Sequence, residues 1–440
     1  MKSAFAPAGL YQPAREIVQR LRAAGHEAYI AGGAVRDHLL ERPQTDLDIA
    51  TSATPQEVRA LFRRTFAVGE SFGVVIVRHR GRSFEVATFR EEQDYRDGRH
   101  PAVVRFSTAK ADVARRDFTI NGMLWDPERE RVLDWVGGRK DIAARRIRTI
   151  GEPAERFRED RLRMLRAVRF AAQLDFGLDR RTLAAIREHA GQLSAVSLER
   201  VRQELDKLLA ARGAAAGLEL LRRSGLWETL RDWLRRETGR QSRGGDCPPG
   251  EVDDGAWTIA WSRVRPGGGA ALPGLVCLLL DAAGLAPEAW NQEAARAQQG
   301  LLEALMRALR GSRGDIEAAR AAPRLLAQAR DFAHLRLADQ LRALRQPAAA
   351  WLLPVLRRHP GFSQLPFADM KALVARHKGR WHEPLLLNGR DLMMRGVEPG
   401  PPVGRLLDEL ETLQLEEGLH TREEALAWLE TALVAAGEEA

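Results

Sequence analysis

The chain has 440 residues, beyond the size at which one hydrophobic core keeps growing, so more than one domain is expected. Its two cysteines, Cys247 and Cys277, exclude a disulfide scaffold and a cysteine-built zinc site, and predict reduced thiols. The formal charge of +8 suits a polyanionic partner, although a solvated arginine-rich surface carries the same total. No apolar run is long enough to cross a bilayer and the N-terminal stretch lacks the apolar core of a signal peptide, so a cytoplasmic protein without membrane contact is expected.

From Glu27 onward apolar runs alternate with helical patterns. EAYIA reads as a strand, GGAVRDHLL as a turn entering a helix, and DLDIAT as a second strand. PQEVRALFRR reads as a helix capped by Thr54, with Pro55 in its first turn. VVIVRHR and SFEVATF flank Gly81 and predict a hairpin, hence a mixed sheet carrying helices. REEQDYRDGRHP, Arg90 to Pro101, reads as an exposed loop.

After about Ile147 the spacing turns helical, in REDRLRMLRAVRFAAQL, RRTLAAIREHA, SLERVRQELDKLLA and AAAGLELLRRSGLWETL. Arg236 to Gly269 is rich in Gly, Arg, Asp and Pro and predicts a long exposed insertion. Helices resume at LPGLVCLLLDAAGL, and a break at LNGRDLMMRGVEPGPPVG precedes two closing helices. The expected domains are an α/β head at 1–147, a helical neck at 148–215, a helical body at 216–345 with the insertion near 236–269, and a helical tail at 346–440.

The sharpest chemical signal is Asp46-Leu47-Asp48. Placed in a strand, period-two geometry puts both carboxylates on one face and Leu47 on the other. Such a pair suits Mg2+, a hard cation, and two ions about 4 Å apart activate an attacking hydroxyl and steady a leaving phosphate. Solvated strand ends carry the same pair, so context decides. Gly32 and Gly33 lie between the first strand and a helix, where the backbone can approach a phosphate; a tight turn explains them equally. Glu85, in the hairpin, is a candidate third metal carboxylate or simply an exposed strand residue.

AYIAGGAVRDHLLERPQTDLDIAT resembles the first motif of the class II tRNA nucleotidyltransferase and bacterial poly(A) polymerase superfamily. Four further segments are similar to family motifs in the same order: RRDFTIN (Arg115 to Asn121), DWVGGRKDI (from Asp134), EDRLR (Glu159 to Arg163) and SLERVRQEL (from Ser197). The resemblance spans roughly residues 27 to 205, and the tail from LNGRDLMMRG is also similar to family C-termini.

The resemblance implies a nucleotidyltransferase head in which Asp46 and Asp48 hold the metals and Gly32, Gly33 and Arg36 line a triphosphate site. Arg116 and Asp117 would meet the phosphates and ribose. Asp160 and Arg163 would present hydrogen-bond groups to the base edge, Asp160 accepting from the amine that cytosine and adenine share. Uracil and guanine offer a carbonyl there, leaving a buried group unpaired. On one helix, Glu159, Asp160 and Arg163 would share a polar edge, an arrangement that an ordinary ion pair also explains. Arg166 and Arg169 continue this helix and are counted with the nucleotide-binding set; Phe170 is read as packing.

The implied activity is template-independent addition of C and A to the 3′ end of tRNA, with CTP, ATP and the acceptor end as partners and pyrophosphate released. No obligate protein partner is evident. The basic residues of body and tail would hold RNA through phosphates, without individual assignments. FAVGESFGVVIVRH, Phe66 to His79, looks like CCA-adding members rather than poly(A) polymerases, and the complete 90–101 segment argues against CC-only addition. An A-adding specialist and a poly(A) polymerase remain the alternatives within the family, and a non-catalytic RNA-binding scaffold the alternative outside it.

Overall fold

A computed structural model describes residues 8–67, 73–95, 101–241, 271–283, 292–362, 364–377, 383–416 and 418–438. They form two compact units, residues 8–234 with Ala271, and residues 235–241 with those from 272 onward.

The first unit opens on α1 (Ala8–Ala23), whose Ala14, Ile17, Val18 and Leu21 recur at helical spacing and are fully buried. There follow β1 (Ala28–Ala31), α2 (Gly33–Leu39), β2 (Asp48–Thr51), α3 (Pro55–Leu61), β3 (Thr65–Ala67), β4 (Val74–His79) and β5 (Arg82–Thr88). Thr54 caps α3 in a capping box with Glu57, and Pro55 occupies its first turn, as the sequence predicts. Arg80 and Gly81, at φ +47° and +75°, make the two-residue turn that pairs His79 with Arg82.

β6 (Arg90–Tyr95), β7 (Pro101–Phe106), α4 (Ala109–Ala114), β8 (Met123–Asp126), β9 (Arg131–Asp134) and α5 (Gly138–Ala143) complete this part. The main sheet has seven strands in the order β3-β4-β5-β2-β1-β8-β9. β2 and β5 are parallel and the other neighbours antiparallel, the mixed sheet expected. Alternation sorts the side chains. Ile30, Ile49, Val75, Val77 and Val86 pack with α1, α2 and α3 on one face, whereas Ala31, Ala50 and Leu124 join Val113 of α4 on the other.

The helical remainder of this unit begins with a parallel pair, β10 (Arg146–Ile147) beside β11 (Gly177–Leu178). Between them run α6 (Pro153–Glu159) and α7 (Leu162–Leu174). α8 (Arg180–His189), α9 (Leu198–Ala210), α10 (Ala214–Arg223) and α11 (Leu226–Gln241) follow. α7 is buried on almost every side, including Arg163 and Arg169, because α9 and α10 pack against it.

The second unit is helical: α12 (Ala271–Ala283), α13 (Gln292–Ala308), α14 (Arg313–Arg330), α15 (Leu337–Arg345), α16 (Ala349–Leu356), α17 (Phe367–His377), α18 (Gly389–Met393), α19 (Pro401–Leu415) and α20 (Arg422–Glu438). Leu387, Leu392, Leu410 and Leu429 make a local core joining the last three. Glu411 of α19 ties Arg342 and Arg345 of α15. No helix among the described residues is long and apolar enough to cross a membrane.

Several sequence expectations need correction. Asp46 and Leu47 precede β2 rather than lying in it, because pairing with β1 starts only at Asp48. EDRLR is not one helix: Asp160 has extended backbone, φ −143° and ψ 105°, and separates α6 from α7. The segment read as a loop at 90–101 contributes β6, which pairs antiparallel with β7 beginning at its last residue, Pro101, with residues 96–100 outside the described set. Arg236 to Gln241 complete α11, while the rest of the predicted insertion and Cys247 lie outside the described residues. The predicted break before the closing helices contains α18, which Asn388 caps reciprocally with Asp391. Cys277 is buried.

Candidate active site

One cavity of about 700 Å3 opens where the C-terminal end of β1, the start of β2, β5, the α4–β8 connection and α7 converge. Gly32, Gly33, Arg36, Asp46, Asp48, Glu85, Arg116, Asp117, Asp160, Arg163, Arg166 and Arg169 all line it. Every residue nominated from the sequence for metal or nucleotide therefore borders the same space. Its volume is that of a small-molecule site.

The floor is acidic. Ile49 lies beside Val86 in the parallel ladder, so Asp48 and Glu85, one position earlier, project from the opposite face. Asp46 reaches the same opening from the segment before β2, while Leu47 is buried beneath. Desolvation first, then the Glu85 and Asp46 carboxylates, push the Asp48 carboxyl up to about 6, with Arg116 pulling the other way. Anionic oxygens that raise one another's proton affinity are the donor set a hard divalent cation relieves. Among the described residues no three ligands are already gathered in metal-holding geometry. The fit therefore rests on Asp46 and Asp48, with Glu85 alongside.

The opposite wall is cationic and rigidly braced. Gly32 sits at φ +72°, and a Cβ there would come within 2.9 Å of Arg116 Nη1; only glycine admits both the left-handed turn and the guanidinium behind it. Arg116 is held by Asp112, a buried carboxylate that also takes Arg115. Arg36 is gripped by both oxygens of Asp37 and donates to Asn121 Oδ1 at 2.7 Å. These braces hold both guanidinium groups in the lining of the cavity that the acidic residues also border.

Asp117 is almost fully buried, and all four of its acceptor positions are taken. Oδ1 accepts from Phe118 N at 2.8 Å and Asn121 Nδ2 at 3.1 Å, and Oδ2 accepts twice from Arg166. Burial alone would raise its pKa, but the Arg166 guanidinium and the Asn121 bond outweigh it and hold the carboxyl at about 2. Contact with a ribose hydroxyl thus requires exchange with one of these bonds. In this arrangement Asp117 anchors Arg166.

Asp160 and Arg163 differ from that pattern. Asp160 accepts from Leu162 N at 3.1 Å and from Arg200 Nη2 at 2.9 Å, one bond on each oxygen, so each retains a lone pair. The Arg163 guanidinium donates to Glu159, to Arg156 O and to Arg115 O, which leaves two of its N–H groups for a ligand. Glu159 therefore acts as the ion-pair partner of Arg163, 2.5 Å away.

α9 supplies residues that the sequence reading passed over. Glu204, 3% exposed, meets Arg169 at 2.5 Å and Arg166 at 3.7 Å. The Arg169 guanidinium lies 3.8 Å from the Phe170 ring centroid, with Arg36 and Arg166 at 5.3 and 5.6 Å. A glutamate on the buried stripe with Val201, Leu205 and Leu208 was the available signal. Arg200, one turn earlier, holds Asp160. SLERVRQEL is thus a two-handed brace.

DWVGGRKDI has a structural account. Asp134 accepts from the backbone N–H groups of Val136, Gly137, Gly138 and Arg139. Asp141, fully buried, takes Thr119, Arg146 and Arg148. A Cβ on Gly138 would lie 2.3 Å from Thr119 O, so this turn supports the Thr119–Asn121 turn from below.

Comparison with known proteins agrees with this geometry. The Poly A polymerase head domain matches residues 28–148, and the probable RNA and SrmB-binding site of polymerase A matches residues 175–232. The CCA-adding enzyme of Geobacillus thermodenitrificans is 48% identical over 233 residues, a match covering 51% of this chain and 57% of that protein. That of Levilactobacillus brevis is 34% identical over 405 residues, 91% of this chain and 92% of the relative. The crystal structure of the Bacillus stearothermophilus CCA-adding enzyme in complex with CTP superposes with a TM-score of 0.69 at 31% identity, covering 98% of this chain and 99% of that one. With that similarity extending along nearly its whole length, the chain belongs to the CCA-adding enzyme family, whose head domain is that of the poly A polymerases.

Proposed function

We propose that the chain adds C and A nucleotides to the 3′ end of tRNA, using CTP and ATP and releasing pyrophosphate, and that it does so in the cytoplasm. One observation carries the reading: an acidic floor, a braced cationic wall and an Asp160–Arg163 pair with spare acceptor and donor positions line one nucleotide-sized cavity. The CTP complex of the Bacillus stearothermophilus relative supports it.

Asp46 and Asp48, with Glu85 beside them, would hold magnesium, which when bound supplies Lewis-acid activation of the attacking hydroxyl and charge neutralisation at the leaving phosphate. Arg36 and Arg116 offer charge to the triphosphate, and Gly32 keeps the backbone clear of it. Asp160 accepts from the exocyclic amine of cytosine or adenine while Arg163 donates to the ring edge. Arg200, Glu204 and Asp117 hold these groups in position. In the reaction, the RNA 3′-hydroxyl attacks the α-phosphate, forming a P–O bond as the bond to pyrophosphate breaks. No covalent enzyme intermediate is needed.

We assign nucleotide selection to residues 148–215 and phosphate contacts to the basic residues of 216–345 and 346–440. The decisive assay supplies CTP or ATP separately to tRNA transcripts ending before CCA, after C and after CC, and sequences the products. Three defined additions support the proposal. An unlimited A tail selects a poly(A) polymerase, A on the CC transcript alone selects an A-adding specialist, and RNA binding without incorporation selects a scaffold.

A further inference from the structure

The sheet face that carries Asp48 and Glu85 does not end at the cavity. Cross-strand register continues from Glu85 to Ile76 in β4 and from Ile76 to Phe66 in β3. Asp48, Glu85, Ile76 and Phe66 therefore form one row across four adjacent strands. At about 4.8 Å per strand the row is about 14 Å long, roughly the reach of the last nucleotides of an RNA strand. Phe66 is 54% exposed, an unusual cost for a large aromatic in a strand, and Ile76 is half-buried.

Next to this apolar strip lies positive charge. Arg78, two residues from Ile76, projects from the same face by alternation and is exposed. Arg64 stands opposite it, its carbonyl accepting from Arg78 N at 2.9 Å, and is exposed as well. Aromatic and aliphatic surface beside two guanidinium groups is the composition that binds single-stranded nucleic acid through stacking and phosphate contacts.

The layout of the cavity fixes which strand this is. Gly32 and Arg36 follow β1, on the side of β2 away from β5, and Arg116 lies against Gly32; the function proposed above puts the nucleoside triphosphate there. In-line transfer puts the attacking hydroxyl on the side of the α-phosphate away from the leaving pyrophosphate; with the triphosphate toward β1, that side faces β5, β4 and β3. We infer that Phe66, Ile76, Arg64 and Arg78 form a platform that receives the 3′-terminal nucleotides of the RNA, a base stacking on Phe66 and phosphates meeting the two arginines. The inference rests on the activity proposed above and adds the route by which the acceptor strand reaches Asp48.

The test uses full-length protein, a tRNA transcript ending in CC, and ATP. Phe66→Ala raises KM for the RNA about tenfold, the loss of one stacked base, and leaves KM for ATP unchanged. Phe66→Trp restores the wild-type value, which a merely structural phenylalanine would not allow. Arg64→Ala and Arg78→Ala each flatten the dependence of log KM for RNA on log salt by about 0.7, one phosphate contact on a single strand. An RNA KM unaltered in Phe66→Ala, or RNA and ATP KM values rising together, overturns the platform while leaving the activity standing. Wild-type protein that extends none of the transcripts with CTP or ATP removes the activity and the platform with it.

Discussion

Arg166 donates two hydrogen bonds, 3.1 and 2.6 Å long, into one oxygen of Asp117, a carboxylate 49 residues earlier in the chain. The pair joins α7 to the turn before β8 and fills the last acceptor positions of a buried carboxylate. Arg166→Ala leaves that charge without its counter-ion, and a loss of about 3 kcal/mol is expected near neutral pH. Because Asp117 is held at about 2, below its ordinary 3.8, the folded state favours the ionised form. Its contribution is complete above the ordinary value and is lost as pH falls through about 2. Urea melts of wild type and variant should differ by a constant amount above about pH 5 and converge toward pH 2. A gap unchanged in acid would contradict the assignment.

Asp48→Ala and Asp46→Ala should each lower kcat about a thousandfold, with the KM for CTP changed only modestly, because these carboxylates act on the reacting phosphate rather than on the base. The measurement is single-turnover incorporation of labelled CTP across a magnesium titration. Either variant adding nucleotides at the wild-type rate would sink the two-metal reading.

Arg200 touches no substrate in the proposed mechanism, yet it holds Asp160 at 2.9 Å from a partly exposed position. Arg200→Ala should cost less than about 1 kcal/mol of stability, as such pairs do. It should nevertheless reduce the preference for CTP over UTP about tenfold, because the acceptor facing the amine loses its fixed orientation. Competing incorporation of the two nucleotides reads this directly, and unchanged selectivity would place Arg200 outside the recognition machinery.

Gly32→Ala combines a left-handed backbone, φ +72°, with a contact of 2.9 Å to Arg116. The expected result is about 1 to 2 kcal/mol of destabilisation, and a KM for CTP raised about tenfold as Arg116 is displaced from the triphosphate. Equilibrium dialysis with CTP separates the two effects, and wild-type affinity in a folded variant would refute the role given to this turn.

Much of the head was legible because its signals are local. Thr54-Pro55 with Glu57, the Arg80-Gly81 turn and the alternation of β4 and β5 each follow from residues within a few positions of one another. The residues nominated through motif order border a common cavity. What escaped was long-range. Glu204 looks like one more charge on a helix until α9 packs on α7, and the true end of α6 depends on Asp160 turning to meet Arg200, 40 residues away. β6 was missed because REEQDY is charged and carries no apolar alternation; its pairing with the more apolar β7 rather than its own periodicity defines it.

The two-residue ladder between Arg146–Ile147 and Gly177–Leu178 has a consequence for how selectivity evolves. The peptide carrying both Asp160 and Arg163 leaves and re-enters the molecule at adjacent points, so it is tied off like a cassette. A swap of its interior with that of a relative would have to preserve the packing of α7 on α9 and α10 and the partners Arg115, Asp117, Arg200 and Glu204. Under the base-reading roles proposed for Asp160 and Arg163, nucleobase preference in this scaffold would be inheritable as a short, portable stretch of sequence.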